Sequence, residues 1–381
     1  TPATLAPTKS PTTPATLAPT KSPTTSVTVA PTKSPTTPAT LAPTKSPATP
    51  ATLAPTKSPT TSVTVAPTKL PTTPVATPTN SPTTGAPTIS QVAEGPCCNV
   101  TGSALVADDN NIRIAVNEYL NDASSAMATY GPINCWDTSR VTNMSDLFFD
   151  SLLFNDPLGC WNTSSVTTFR KMFYGDSSRT RYNQDISSWD TSSAIDMSFM
   201  FFKSWFNQNI QSWDVSSVKD MSNMFANTPL FNHNISSWQV SSVVTMEKTF
   251  YNSKKFNNDL SQWDVSNVEN MDRVFSESEF NHPSIKNWNV TSATTMIAMF
   301  SGASSFNQDL TSWSSSIVSL VDGRQMFYGA ESFNTDLCAW GDTLENTGVN
   351  LNNMFLDTAC PFKDRPNFNS APPGPFCFQC D

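Results

Sequence analysis

The sequence predicts an α/β repeat solenoid of about nine turns behind an extended, polyproline-II-like tail, and three observations predict it. Tryptophan recurs every 24 or 25 residues from Trp136 to Trp340, with two longer spacings of 27 and 28. A Phe closing an M-x-x-M-F segment and an aromatic-Asn pair keep the same beat. The first 84 residues, by contrast, hold no acidic residue, no aromatic and no Cys, so they contain nothing from which a core is built.

The tail repeats in twelves: TPATLAPTKSPT twice, then TSVTVAPTKSPT, TPATLAPTKSPA, TPATLAPTKSPT and TSVTVAPTKLPT. Proline at two or three places in every twelve removes amide donors and fixes φ, which excludes a helix and favours polyproline II. At about 3.1 Å per residue this stretch would reach roughly 260 Å. Dense Ser and Thr beside Pro read as a mucin-like stalk, with Thr4, Thr8, Thr12, Thr13, Thr28 and Thr32 among the O-glycosylation candidates. Thr25, Val27 and Val29, and again Thr61, Val63 and Val65, alternate as a strand that could add to a sheet edge.

The body is organised by the repeat WDVSSVKDMSNMFANTPLFNHNISS and its relatives. A period near 25 with one short apolar set per unit means turns that stack and share a core, because one unit alone buries too little. Equivalent Trp and Phe rings would then lie about 4.8 Å apart. The Asn places, Asn155, Asn183, Asn207, Asn232, Asn257, Asn281, Asn307 and Asn334, would form a bonded column at the bend. Within a turn, Val218, Met221, Met224 and Phe225 have helical or 3₁₀ spacing, and Gln211–Val215 alternates like a short strand. A leucine-rich-repeat-like turn of strand plus short helix is therefore expected, with an all-β parallel solenoid as the alternative. Asn110 to Met127 places Ile112, Val116, Tyr119 and Leu120 on one side and reads as a capping helix. The resulting domains are a stalk over 1–90, a Cys-containing linker and cap over 91–135, the repeat over 136–362 and a Cys-containing end over 363–381.

The repeat, with the lead-in DDNNIRIAVNEYLNDASSAMATYGPINCWDTS and the closing FNTDLCAWGD, resembles the 25-residue surface-protein repeat family related to BspA-like leucine-rich-repeat antigens. The resemblance covers about Leu105 to Phe362. It implies a secreted or cell-surface protein of the kind found in bacteria and marine protists, and it brings no catalytic residues with it.

Eight Cys, all outside the tail, suit disulfides in an oxidising compartment. Cys135 and Cys160 would face each other on adjacent turns, and Cys338 and Cys360 would pin the last turn. Cys97, Cys98, Cys377 and Cys380 leave three pairings open, with disulfides favoured over a zinc site. Five N-glycosylation acceptors, Asn99, Asn143, Asn162, Asn234 and Asn289, also point to secretion. No run of about 18 apolar residues is present, so no membrane span is expected, and a chain starting at Thr1 reads as mature or trimmed. Asp137, Asp190, Asp214 and Asp264 follow their Trp and would bond at a turn rather than hold Ca²⁺. The histidines, His233 and His282, lie in no catalytic pattern, and no cofactor or metal is expected. An acidic body argues against nucleic acid.

Six Lys make the tail +6 and leave −15 on the rest of a chain of net charge −9. The function expected is therefore an extracellular structural glycoprotein that self-associates into a fibre or coat through its tail. The alternative is a monomeric adhesin whose repeat binds carbohydrate or protein. Neither is an enzyme.

Overall fold

A computed structural model of the chain describes residues 104–381. The stalk, its O-glycosylation and strand-addition residues, Cys97, Cys98 and Asn99 lie outside the described residues. The described residues open with β1 (Val106–Asp108), α1 (Asn111–Asn121), α2 (Ala123–Tyr130) and β2 (Asp137–Arg140), β1 and β2 pairing in parallel. The expected single helix is two because Asp122 leaves the helical region and caps α2, its carboxylate accepting from the Ser124 and Ser125 amides at 3.1 Å. Ile112, Val116 and Tyr119 are buried as their spacing predicts, whereas Leu120 is 40% exposed.

This lead-in closes the open end of the repeat with side chains. Between later turns the Thr167 amide donates to the Thr142 carbonyl oxygen at 2.8 Å. Thr142 has no earlier turn to bond, and the Asp109 carboxylate replaces that carbonyl, accepting from the Thr142 and Asn143 amides at 2.7 and 2.9 Å. Burial alone would raise the Asp109 pKa, but these bonds and the Thr142 hydroxyl bring it below the ordinary value. Arg113 donates to the Ser145 carbonyl at 2.6 Å and to the Asn143 side chain at 3.0 Å.

From there one-residue parallel bridges link Asn143, Thr168, Asp196, Asp220, Thr245, Asn270, Thr295, Asp322 and Asn350 in succession. The strand expected at Gln211–Val215 and the helix expected at Val218–Phe225 are both absent from the observed turn. The amides of Met221, Asn223, Phe225 and Asn227 instead donate to the carbonyls of Thr245, Glu247, Thr249 and Tyr251 one turn on, at 2.7–3.1 Å. The amides between them, of Met224, Ala226 and Thr228, close local turns on Met221, Asn223 and Phe225. Positive φ at Asn223 and Asn227 makes this alternation possible. Both conformations put Val218, Met221, Met224 and Phe225 on one side, and all four are fully buried. Spacing alone therefore cannot separate them; the inter-turn bonds decide, since every second amide is satisfied by a neighbour rather than by its own helix. Short 3₁₀ segments do occur, but close to the Trp, as in Pro283–Asn287, Thr311–Ser315 and Ile317–Ser319.

The core is a set of ring ladders. Phe148, Phe173, Phe201, Phe225, Phe250, Phe275, Phe300, Phe327 and Phe355 stack at 5.5–5.9 Å between centroids. Trp213, Trp238, Trp263 and Trp288 follow at 6.4–6.5 Å. These steps exceed the expected 4.8 Å of paired backbone, so successive turns are fanned or twisted on the ring side. Each indole is tied as well as packed: Trp238 Nε1 donates to the Ile210 carbonyl at 3.2 Å and Trp263 Nε1 to that of Ile235 at 3.1 Å. The Asn column forms throughout, each side-chain oxygen accepting the next Asn amide, from Asn155 to Asn183 at 2.8 Å to Asn307 to Asn334 at 2.9 Å.

At the far end the disulfides are Cys338–Cys380 and Cys360–Cys377, which corrects the expected Cys338–Cys360 pair. Cys338 lies two residues before Trp340, whereas Cys360 settles beside the Phe333 carbonyl at another corner, so the two are not equivalent places. The last residues fold back instead, Leu337 donating to Phe376 and Phe362 to Cys377, and staple both cysteines. Cys377 and Cys380 are thereby used, which removes them from any zinc site. Cys160 is disulfide-bonded, but not to Cys135, which corrects the expected Cys135–Cys160 pair.

Candidate functional site

The turn ladder gives each unit surface positions whose side chains face outward without disturbing backbone pairing. One position follows the core Phe and holds Phe149, Tyr174, Phe202, Ala226 and Tyr251 in successive turns. Another, two before the core Phe, holds Asp146, Lys171, Phe199, Asn223, Lys248 and Arg273, all at positive φ. In the earlier turns these columns form a partly exposed aromatic and cationic face. Phe149 stacks on Tyr174 at 5.0 Å and Tyr174 on Phe202 at 4.7 Å. Lys171 Nζ lies 5.1–5.8 Å from the centroids of Phe149, Tyr174 and Phe199, and Arg170 lies 5.6 Å from that of Phe199.

The insertion after Gly175 borders this face. Thr180 bridges Ser204, and the Arg179 guanidinium sits 5.0 Å over Trp205, which is 41% exposed, while its Nε donates to the Asn227 carbonyl. Gly175 is required there: a Cβ would stand 2.2 Å from the Ser178 oxygen and 2.5 Å from that of Lys203. Next to the insertion is an open groove of about 490 Å³ lined by Phe199, Phe202, Asn223, Tyr251, Lys248 and Arg273, with Asn227 and Glu247. Lys248 is paired with Glu247, and the Asn252 side chain holds the Asn227 amide at 2.8 Å. Apolar rings, amide donors and acceptors and cations converge here, a combination suited to binding rather than bond-making.

The residues singled out from sequence lie elsewhere. Asp137, Asp190, Asp214 and Asp264 each accept the amide two residues on, at 2.9–3.1 Å, and Asn162 and Asn289 do the same in their turns. Hydrogen bonds from Ser139, Ser192 and Ser266 hold the Asp137, Asp190 and Asp264 carboxyls below their ordinary range. They are turn-forming residues. Among the described residues no His, Cys, Asp and Glu group is arranged to hold a metal. His233 bonds the Asn207 carbonyl, and His282 caps the 3₁₀ segment at Ser284. Asn162, Asn234 and Asn289 are exposed, whereas Asn143 is half-buried with its side-chain oxygen held by Arg113 and Ser145. No described helix is long and apolar enough to cross a membrane. The aromatic face was missed because attention to the M-x-x-M-F core passes over the residue after the Phe, where Phe149, Tyr174, Phe202 and Tyr251 were visible.

No curated protein and no solved structure matches the chain. Three segments, 117–205, 177–283 and 262–367, match the family described as "Mycoplasma protein of unknown function, DUF285". Each spans about four of the 25-residue units, in keeping with a repeat that the family profile meets more than once. Together the matches run through about two thirds of the sequence, and the chain belongs to the DUF285 family.

Proposed function

We propose that the chain is an extracellular repeat glycoprotein, a leucine-rich-repeat-like solenoid akin to the BspA-like surface antigens, that adheres to other extracellular material through its aromatic and cationic face. The one observation that carries this is the face itself: exposed Phe149 stacked with half-buried Tyr174 and Phe202, half-buried Phe199 tilted beside them, and Lys171 over three of the rings. Partly exposed aromatics in a row cost solubility, so their place along successive turns is that of a contact surface. Glycans on Asn162, Asn234 and Asn289 would leave the face uncovered, since none of those residues lines it. The test is adhesion of the full-length protein to immobilised cell-wall and matrix polysaccharides. The triple variant Phe149→Ser, Tyr174→Ser, Phe199→Ser is expected to lose adhesion while keeping its melting temperature within a few degrees. Adhesion unchanged in that variant defeats the reading.

A second reading, a fibre or coat subunit assembled through the tail, is favoured by the split of +6 on the tail against −15 on the remainder. A basic extended segment on the acidic body of the next molecule makes a contact that does not close. Removing residues 1–90 should then abolish filaments in electron micrographs; filaments formed by the shortened chain would refute it.

A further inference from the structure

A second outward row runs along the repeat body, apart from the aromatic face. The amides of Ile195, Lys219, Val244, Glu269, Thr294 and Val321 each donate to the carbonyl oxygen of the same place one turn earlier, at 2.8–2.9 Å, the first of them to that of Thr167. These bonds set successive side chains about 4.8 Å apart. All of them, Thr167 included, are exposed. An extended position favours β-branched residues, and Thr meets that demand at Thr167 and Thr294 while giving water a hydroxyl. Ile195, Val244 and Val321 instead present apolar surface, at 46%, 38% and 64% exposure.

The row is patterned as well as apolar. Its two charges, Lys219 and Glu269, lie one turn to either side of Val244. They are about 10 Å apart along the row with Val244 between them, and among the described residues neither side chain makes an ion pair. A two-fold axis crossing the row at Val244 would lay a second copy against it in reverse, with each place in the turn opposite the same place. Lys219 then meets Glu269 twice, Ile195 meets Thr294, and Thr167 meets Val321. The adjoining row, one residue on in each turn, passes the same test. Its half-buried Asp196, Asp220 and Asp322 accept the amides of Ser198, Ser222 and Arg324 at 2.8–3.1 Å. Reversed about Thr245, they fall opposite Thr295, Asn270 and Thr168, so no carboxylate faces another. A parallel pairing would set Lys219 against Lys219 and Glu269 against Glu269, and the charges reject it.

We propose that this row is an antiparallel, self-complementary contact between two copies of the chain, centred on Val244. It uses neither the aromatic face nor the tail. Six steps make a strip about 29 Å long, and with its flanks about 10 Å wide, or roughly 300 Å² a side against the ~800 Å² of a standard interface. The contact is therefore a weak, reversible pairing that operates where copies are concentrated, as in a surface layer.

The experiment is sedimentation equilibrium of the full-length protein at low salt over a wide concentration range, where a reversible dimer is expected. Lys219→Glu and Glu269→Lys each set like charges against each other twice per pair, and each alone should weaken dimerisation about tenfold or more. Mixed in equal amounts, the two variants meet only opposite charges across the axis and should pair about as tightly as the parent chain. The chain carrying both changes should also recover. Val244→Asp places two carboxylates on the axis and should weaken the pairing as strongly as either reversal. The triple serine variant of the aromatic face should dimerise unchanged. A parent chain that stays monomeric throughout overturns the proposal, as do charge-reversed chains that dimerise as well as it does. So does a mixture no tighter than either variant alone, or loss of the dimer in the triple serine variant, which would assign the contact to the aromatic face.

Discussion

Replacing Tyr182 by phenylalanine should make the repeat body more stable. Tyr182 occupies the aromatic-Asn place where other turns carry Phe154, Phe206, Phe231, Phe256, Phe280, Phe306 and Phe333. Its ring lies 3.8 Å from Phe173 and 5.8 Å from Phe154, stacked within 6° of both planes, and the residue is 1% exposed. The hydroxyl has no hydrogen-bond partner among the described residues. Burial pushes the phenol well above its ordinary range, so the group is neutral at all ordinary pH and costs as an unmatched hydroxyl rather than as a charge. An unsatisfied buried hydroxyl costs about 1–3 kcal/mol, and removing it without changing the ring returns most of that. At roughly 2–4 °C per kcal/mol for a chain of this size class, the melting temperature should rise by about 2–12 °C. Urea unfolding followed by tryptophan fluorescence, with the m-value compared, shows whether the gain is in stability or in a change of cooperativity across the stacked units. A lower midpoint in Tyr182→Phe at unchanged m would refute the reasoning, because it would mean that the hydroxyl makes a stabilising bond.

Trp238→Ala removes a buried indole and the Nε1 bond to the Ile210 carbonyl, and should cost about 3–5 kcal/mol, measured as a fall in urea midpoint. Replacing Cys360 and Cys377 by Ser opens a disulfide spanning 17 residues and should cost about 3 kcal/mol, with early proteolysis at the C-terminal end read by mass spectrometry. Asp272→Asn should stabilise at neutral pH. Burial raises the Asp272 pKa against bonds from the Thr295 hydroxyl and the Ile297 amide, so the ionised form weakens the fold above its folded pKa. That weakness is relieved on acidification, and the advantage of Asn should disappear as the pH falls below the unfolded value of 3.8 in paired melts across pH.

The repeat, its core residues and the Asn column were legible because each is a period in one residue type, and a period survives ignorance of backbone conformation. The conformation itself was not. Val218, Met221, Met224 and Phe225 fit a helix by spacing, yet the amides of Met221, Asn223, Phe225 and Asn227 bond the following turn. That alternation depends on positive φ at places held by Lys171, Phe199, Lys248 and Ala298, residues that carry no sequence signal for it. The Cys338 pairing failed for a related reason: the last turn is closed by a returning tail, and nothing periodic marks where that tail will lie. The candidate groove was hidden in a third way, since Phe202, Asn223 and Tyr251 come to it from three successive turns, and only the pairing between turns brings them together.

That last point bears on how such a fold acquires a site. Outside the local turns, the bonds that fix one unit on the next run between backbone groups, from Asn223 to Glu247 and from Asn227 to Tyr251, from Asn side chains at the bend, and from buried indoles and hydroxyls such as those of Trp238 and Thr228. The residues after and before the core Phe therefore vary from turn to turn with little effect on stacking: Phe149, Tyr174, Phe202, Ala226, Tyr251 and Ser276 succeed one another at one place. Because the register between them is set by the core rings at 5.5–5.9 Å per step, a surface ring column comes at nearly the spacing of stacked rings without further adjustment. Side chains from neighbouring turns, such as Phe202, Asn223 and Tyr251, then line one groove. A protein built this way gains a binding position by substitution at the surface while the ladder beneath it is kept.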